Sequence, residues 1–193
     1  MKIINPAEFE AERKDNLLYL GRIRAADYIW VHRSGGDYSS EYLSCIAKDL
    51  QGDIVVTQTA NNDDWTWAHH HLSGRVGIDD TVFVAAADLY RDSTIKRKAQ
   101  YINSELLAQI EPQLELLGTV KTQNYHYDDY PGVIGMEDPW KVRYETDMHS
   151  NDELQKKATH LGADYIVDKK VESWPEMHLE GMIYKIIRSG QLP

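Results

Sequence analysis

The stretch that decides the fold is Leu161-Gly162-Ala163-Asp164-Tyr165-Ile166-Val167, where a predicted helix ends and a β-branched strand begins. The first half of the chain contains a similar stretch, Leu50-Gln51-Gly52-Asp53-Ile54-Val55-Val56. Similarity at two places in one chain predicts an internal repeat, in which each copy folds as the same supersecondary unit.

The similarity continues on both sides of this stretch. Before it lie the strand residues Leu20-Gly21 and the helix residues Leu43 and Ala47, matched by Leu117-Gly118, Leu154 and Ala158. After it, Trp67, His71, Leu72 and Gly74 are matched with Trp174, His178, Leu179 and Gly181. Each copy is therefore predicted to run β-α-β-β. The alternative is two unrelated α/β segments of similar composition.

This interpretation predicts an α+β fold of two tandem β-α-β-β repeats that form a pseudo-twofold sheet with helices on one face. The first unit spans residues 1–76 with an N-terminal lead-in, and the second spans 117–193 with a loop insertion at 125–147. Residues 77–116 are predicted to connect them, largely as a long helix. Ser39 is the expected N-cap of the first repeat helix, and Ser150 with Glu153 is the expected capping box of the second.

The composition is that of a globular protein, because 42% of the 193 residues are hydrophobic and 27% are charged. A net charge of −10 argues against nucleic-acid and membrane partners, which require clustered Lys and Arg. The single cysteine, Cys45, is expected to be a buried, inert thiol and allows no disulfide within the chain. The N-terminus shows no apolar signal region, so we expect a cytoplasmic protein.

Alternation along the last strand of each unit predicts which side chains face the helix. Leu179, Gly181 and Ile183 share one face, and the glycine would allow the helix to approach closely. The opposite face, together with the insertion, is predicted to be a protein-binding or self-association surface. Its predicted residues are Trp67, Arg75, Tyr127, Trp140 and Trp174. Two alternatives stay open: the tryptophans lie under the inserted loop, or they line a ligand site.

Histidines supply a second hypothesis. His69 and His71 lie two residues apart on a predicted strand, so both imidazoles would point the same way and could share a zinc ion. His178, Glu176 or Glu180 of the second unit would complete the ligand set, with His178 favoured, whereas the alternative is a solvated run of histidines. The loop carboxylates Asp128-Asp129 and Glu137-Asp138 allow a third hypothesis, a hydrolase, although the sequence contains no P-loop, GxSxG or HExxH motif.

The order of the repeated motifs resembles the small β-α-β-β domains of the YbjQ-like and RcsF-like bacterial families. The residues that carry the resemblance are Leu117-Gly118, Ala158, the Gly162–Val167 stretch and Gly181, with their matches in the first copy. The resemblance implies a compact sheet with a helix on one side and a tendency to assemble, and it implies no catalytic activity.

The sequence thus favours a non-enzymatic interaction or assembly protein that binds a protein partner or a second copy of itself. The alternative is a metal- or small-ligand-binding protein, with zinc as the only cofactor under consideration.

Overall fold

A computed structural model describes residues 1–12, 15–29, 38–75, 81–126, 139–173 and 176–187. The chain forms two compact units. The first comprises Met1–Ile95 with Ala108–Gln113, and the second comprises Lys96–Leu107 with Leu114–Ile187. Each unit combines helices with its own β-sheet, which confirms the α+β class and the presence of two sheet units.

The first unit contains a four-stranded sheet in the order β1-β3-β4-β2. Strands β1 and β3 are parallel, and the other pairs are antiparallel. Its elements are β1 (Lys2–Ile4), α1 (Pro6–Glu12), β2 (Leu17–Ile29), α2 (Ser39–Asp49), β3 (Ile54–Gln58), α3 (Asn62–His71) and β4 (Thr81–Asp92).

The sheet of the second unit has the order β5-β8-β9-β6, and β7 also pairs with β9. Again the first pair is parallel, and the others are antiparallel. Its elements are β5 (Gln100–Tyr101), β6 (Leu114–Lys121), β7 (Tyr125–His126), α5 (Pro139–His160), β8 (Tyr165–Ser173) and β9 (Glu176–Ile186). Helix α4 (Ser104–Ile110) and a 3-10 turn (Glu111–Gln113) lie between β5 and β6.

The recurring aspartate makes the same two hydrogen bonds in both units. In the first unit the backbone N–H of Asp53 donates to the carbonyl of Tyr90 (2.9 Å), and the Asp53 carboxylate accepts the N–H of Asp92 (2.7 Å). In the second unit the corresponding partners are Tyr184 (2.8 Å) and Ile186 (2.9 Å). Asp53 and Asp164 therefore each fasten the start of one strand to the end of its neighbour. Gene duplication itself stays a prediction.

The repeated Leu-Gly pair marks a β-bulge in each unit. The register shifts between Tyr19 and Gly21 in β2, and between Leu116 and Gly118 in β6. Both glycines have positive φ, 133° and 135°, a region that side chains disfavour. The pair recurs because an edge strand must bend at the same place in both sheets.

The long connecting helix predicted for residues 77–116 is wrong. Strand β4 occupies Thr81–Asp92, and the helices among the described residues of this segment are α4, with seven residues, and the 3-10 turn Glu111–Gln113. Apolar residues from Ile95 onward follow a helical spacing, which includes both the exposed Ile95 and the buried Ala99, so the spacing predicted a helix longer than α4. Only Ala99 belongs to a core.

Residues 62–71 form helix α3, although the sequence predicted a strand for Trp67, His69 and His71. The Asn61 side chain accepts the N–H of Asp64 at 3.0 Å, and the Asp64 carboxylate accepts the N–H of Asn61 at 2.9 Å. This capping box starts the helix. The proposed match of Trp67 and His71 with Trp174 and His178 is therefore wrong.

The capping box predicted at Ser150 and Glu153 is also wrong, because α5 begins at Pro139 and Ser150 is buried within it. In the first repeat helix, Tyr38 rather than Ser39 is the N-cap residue.

The prediction for the last strand of the second unit is confirmed. Leu179 and Ile183 are buried in one core with Leu154 and Ile166. A Cβ added at Gly181 would lie 2.7 Å from Cγ2 of Ile166 and 3.1 Å from Cδ2 of Leu154. Glycine at this position thus lets α5 pack directly on β9.

Gly181→Ala should lower the free energy of unfolding by about 1–3 kcal/mol, because an overpacked core must shift to admit the methyl group. Met182→Ala is the matched control, since the neighbouring side chain points to the other face and is exposed. Its effect should stay within about 0.5 kcal/mol. Urea titration followed by circular dichroism measures both, and equal effects would contradict this account of the packing.

Candidate functional site

The structure describes only two residues of the predicted aromatic surface with their side chains, Trp67 and Arg75. Trp67 lies on α3, where its ring stacks on His71 one turn later, with centroids 4.9 Å apart and planes at 10°. Arg75 is exposed in the turn after this helix. Trp174 and Tyr127 lie outside the described residues, as does the side chain of Trp140. Trp67 thus packs against its own helix and does not belong to a sheet face.

The predicted strand geometry of the first two zinc ligands is wrong. His69 and His71 belong to helix α3, and side chains two residues apart on a helix do not face each other. His178 lies on β9 of the second unit, where its Nε2 is 3.2 Å from Oε1 of Glu180. Within the described part of the chain, no three His, Cys, Asp or Glu side chains are grouped to hold a metal ion.

Helix α2 has a second, outward-facing stripe that the sequence reasoning missed. Its buried residues, Leu43 and Ala47 among them, face the sheet. Cys45 was expected to be buried, but it is exposed. The side chains on the same side of the helix as Cys45 are Tyr38, Glu41, Tyr42 and Asp49, all of them exposed. We call these five residues the outer stripe of α2; spacings of three and four could have revealed it.

A buried carboxylate joins α3 to the sheet of the first unit. Asp64 is fully buried, and its two oxygens accept hydrogen bonds from Nε and NH2 of Arg22 at 3.0 and 2.6 Å. Arg24 donates a further bond from Nε at 2.7 Å. Burial by itself would raise the pKa of the Asp64 carboxyl, but the bonds from Arg22, the Asn61 N–H and Arg24 outweigh it and hold this pKa well below its usual range.

A second polar contact lies beside this one on the same sheet face. Oδ1 of Asp88 accepts the Tyr19 hydroxyl at 3.2 Å, and Oδ2 accepts the Gln58 amide at 2.7 Å. Burial, and then the nearby Asp88 charge, raise the pKa of Tyr19. Tyr19 therefore keeps its proton, and the group serves to hold strands β2, β3 and β4 together.

Asp64→Asn should destabilise the first unit by about 3 kcal/mol near neutral pH, because two guanidinium groups lose the anion that they bind. The pKa of Asp64 is depressed by folding, so its contribution is complete above the unfolded-state value of about 4 and is lost as the pH falls below it. Urea titrations at several pH values should show the gap between wild type and Asp64→Asn narrowing in acid.

The control for this experiment is Asp63→Asn, which removes an exposed carboxylate from the same first turn. Its effect should be only a few tenths of a kcal/mol, the value of a charge near a helix N-terminus. A gap of constant size at every pH would contradict the ion-pair explanation.

In the second unit no helix stands between the last two strands, so the part of the sheet face that α3 covers in the first unit has no equivalent helix among the described residues. In the first unit Arg22 pairs with Asp88 and Arg24 with Ala86, on the face to which Asp64 binds. The equivalent pairs in the second unit are Thr119 with Met182 and Lys121 with Glu180. By register, this face also contains Tyr165 and Tyr184, which are buried. The side chains of β6 and β9 on this face that contact solvent are Leu116, Thr119, Lys121, His178, Glu180 and Met182. We call them the open face.

The difference between the two faces lies in the connection before the last strand. In the first unit that connection contains α3, which packs against β2 and β4. In the second unit only two residues separate β8 from β9. Leu116 is accordingly 56% exposed and Met182 43% exposed. An apolar part of the sheet is thus left in contact with solvent.

The polar end of the open face is an ion-pair cluster. The Lys121 ammonium pairs with the Glu180 carboxylate, which also lies near His178. The hydrogen bond from Lys121, followed by that from His178, lowers the pKa of Glu180. Lys121 remains mostly exposed, and an ammonium group has three N–H donors, so it can bind a further acceptor.

A shallow groove of about 540 Å³ lies between α5 and β6. It is lined by Val120, Lys121, Lys156, Lys157, His160 and Leu161. Each of its lysines already pairs with a carboxylate: Lys121 with Glu180, Lys156 with Asp152, and Lys157 with Glu153 at 2.7 Å. The groove therefore offers an anion little uncompensated positive charge.

None of the helices in the described residues is both long and apolar enough to span a membrane. Comparison of the chain with protein-family models, with curated proteins and with solved structures gave no match, so its function is argued from its own residues and geometry.

Proposed function

We propose that the chain is a non-enzymatic protein-interaction or assembly protein, and that the open face of its second unit is the binding surface. The observation that carries this proposal is the exposure of Leu116 and Met182 on a sheet face that the first unit covers with a helix. An exposed apolar side chain on such a face gains free energy when a partner removes it from water.

The pattern of residues supports a contact surface rather than adaptation to solvent. A sheet face that stays in water usually carries polar side chains at alternate positions. The first unit has Asp88 beneath its helix, whereas the second has the more apolar Met182 at the equivalent, uncovered position. Methionine is common on surfaces that bind protein partners, because its flexible side chain adapts to different shapes.

The most perturbed ionisable groups of the described residues have structural roles. Tyr19 holds its proton against Asp88, and Asp64 stays an anion between two arginines. Neither state suits a general base that must accept a proton near neutral pH. We retain a cytoplasmic location and the resemblance to small bacterial β-α-β-β domains as parts of this proposal; the single cysteine supports the first of these.

Site-specific photo-crosslinking in the native host tests the proposal. A photoreactive phenylalanine analogue at position 182 should give discrete protein adducts, because this position lies at the centre of the open face. The same analogue at position 187 is the control, since Ile187 is equally exposed at 43% but follows the end of β9. If position 182 gives no more adducts than position 187, the open face is not the binding surface.

A further inference from the structure

We propose that the open face binds the outer stripe of α2 from a second copy of this chain, so that copies assemble head to tail. This inference rests on the proposed function and names the partner. A helix is the expected occupant, because the first unit covers the equivalent face with α3. The two units share their strand order and their β-bulges, so a helix that fits one sheet has the right shape for the other.

The contact between α3 and the sheet of the first unit also indicates which polar contact to expect on the open face. There, a carboxylate in the first turn of α3 binds Arg24. The equivalent cation in the second unit is Lys121, and its Glu180 partner leaves ammonium donors available. A docking helix should therefore carry an acidic side chain in its first turn, beside an apolar or aromatic stripe.

The outer stripe of α2 has both properties. Glu41 lies in the first turn, and Tyr42, which is 49% exposed, lies beside it. Tyrosine rings bury a large area at a small entropic cost and make favourable contacts with methionine sulfur. Glu41 would meet Lys121 while Tyr42 covers Met182.

The two other described helices of eight or more residues fit less well. Helix α3 ends in three histidines and is already bound to its own sheet through Asp64. The exposed side of α5 that lines the groove carries Lys156, Lys157 and His160, and the nearby carboxylates Asp152 and Glu153 are already bound by the two lysines. Helix α2 instead supplies a first-turn carboxylate, Glu41, which can accept a hydrogen bond from the ammonium donors that Lys121 does not use for Glu180.

Such a contact joins two different surfaces of the same chain. A contact of this kind does not close on itself unless the rotation between copies happens to form a ring, so it produces open chains whose length increases with concentration. A self-complementary interface would instead stop at a dimer. The mode of assembly therefore distinguishes this inference from ordinary dimerisation.

Sedimentation velocity tests the inference with two single variants, Met182→Asp on the open face and Tyr42→Asp on the outer stripe. Wild type should exceed twice the chain mass of 22.2 kDa as its concentration rises. A range from about 10 μM to 1 mM covers weak contacts between proteins. Each variant alone should remain a monomer, because it lacks one of the two surfaces. Their equimolar mixture should form a 1:1 dimer and nothing larger, since only one intact contact can form.

Ile187→Asp is the control and should assemble like wild type. The inference is overturned if wild type stays monomeric throughout this range or if the mixture stays monomeric. It is also overturned if wild type stops at a dimer that either single variant still forms, because a ring of two copies needs both surfaces. Association that is lost in Met182→Asp but kept in Tyr42→Asp also overturns it, yet leaves the open face as a binding surface. Crosslinks from position 182 to a protein other than a second copy would also overturn the inference and leave the open face as a binding surface.

Discussion

The buried Asp64 carboxylate determines how the two units differ. Taking a carboxylate out of water is costly, and the cost is offset here because two guanidinium groups and a backbone N–H bind it. The contact holds α3 to the sheet and closes the face of the first unit. The second unit has the equivalent cation, Lys121, but the two residues between β8 and β9 leave no room for a helix that would supply such a carboxylate. Its face consequently stays open.

The parts of the fold that were predictable are those that backbone geometry dictates. Leu-Gly marks a bulge where φ must be positive, and the recurring Asp satisfies the N–H at the end of a neighbouring strand. Each of these backbone requirements is met by one residue type at one position, so it can be recognised in the sequence. The class of the fold followed from the repeated stretches that contain these residues, and the helix-facing side of β9 followed from alternation along the strand.

The match of Trp67 and His71 with the last strand failed for a different reason. This match compared only the order of residue types, and no backbone conformation requires Trp or His at these positions. The capping box formed by Asn61 and Asp64 was the signal for a helix, and it outweighs a loose alternation of apolar residues. The strand of the first unit that is equivalent to β9 is β4. The two strands share a tyrosine, Tyr90 or Tyr184, whose backbone carbonyl accepts the aspartate N–H.

The candidate site was predictable only in its local part. Alternation correctly placed His178, Glu180 and Met182 on one face, opposite the buried core of α5. Their exposure could not be deduced, because it depends on the length of the connection between the last two strands. The outer stripe of α2 was hidden in the same way, since Cys45 beside an apolar stripe resembles a core residue in sequence.

The charge of the chain limits how strong any self-association can be. Two copies with a net charge of −10 repel each other, and the repulsion extends about 10 Å at 0.1 M salt before ions screen it. Contacts that draw copies together must therefore be short-ranged, from burial of apolar side chains or from charge pairs in close contact. The open face meets this requirement, because Leu116 and Met182 lie on the same face as a lysine and glutamate that cancel each other's charge. Added salt weakens the general repulsion more than the burial of these side chains, so moderate ionic strength favours the assembled state.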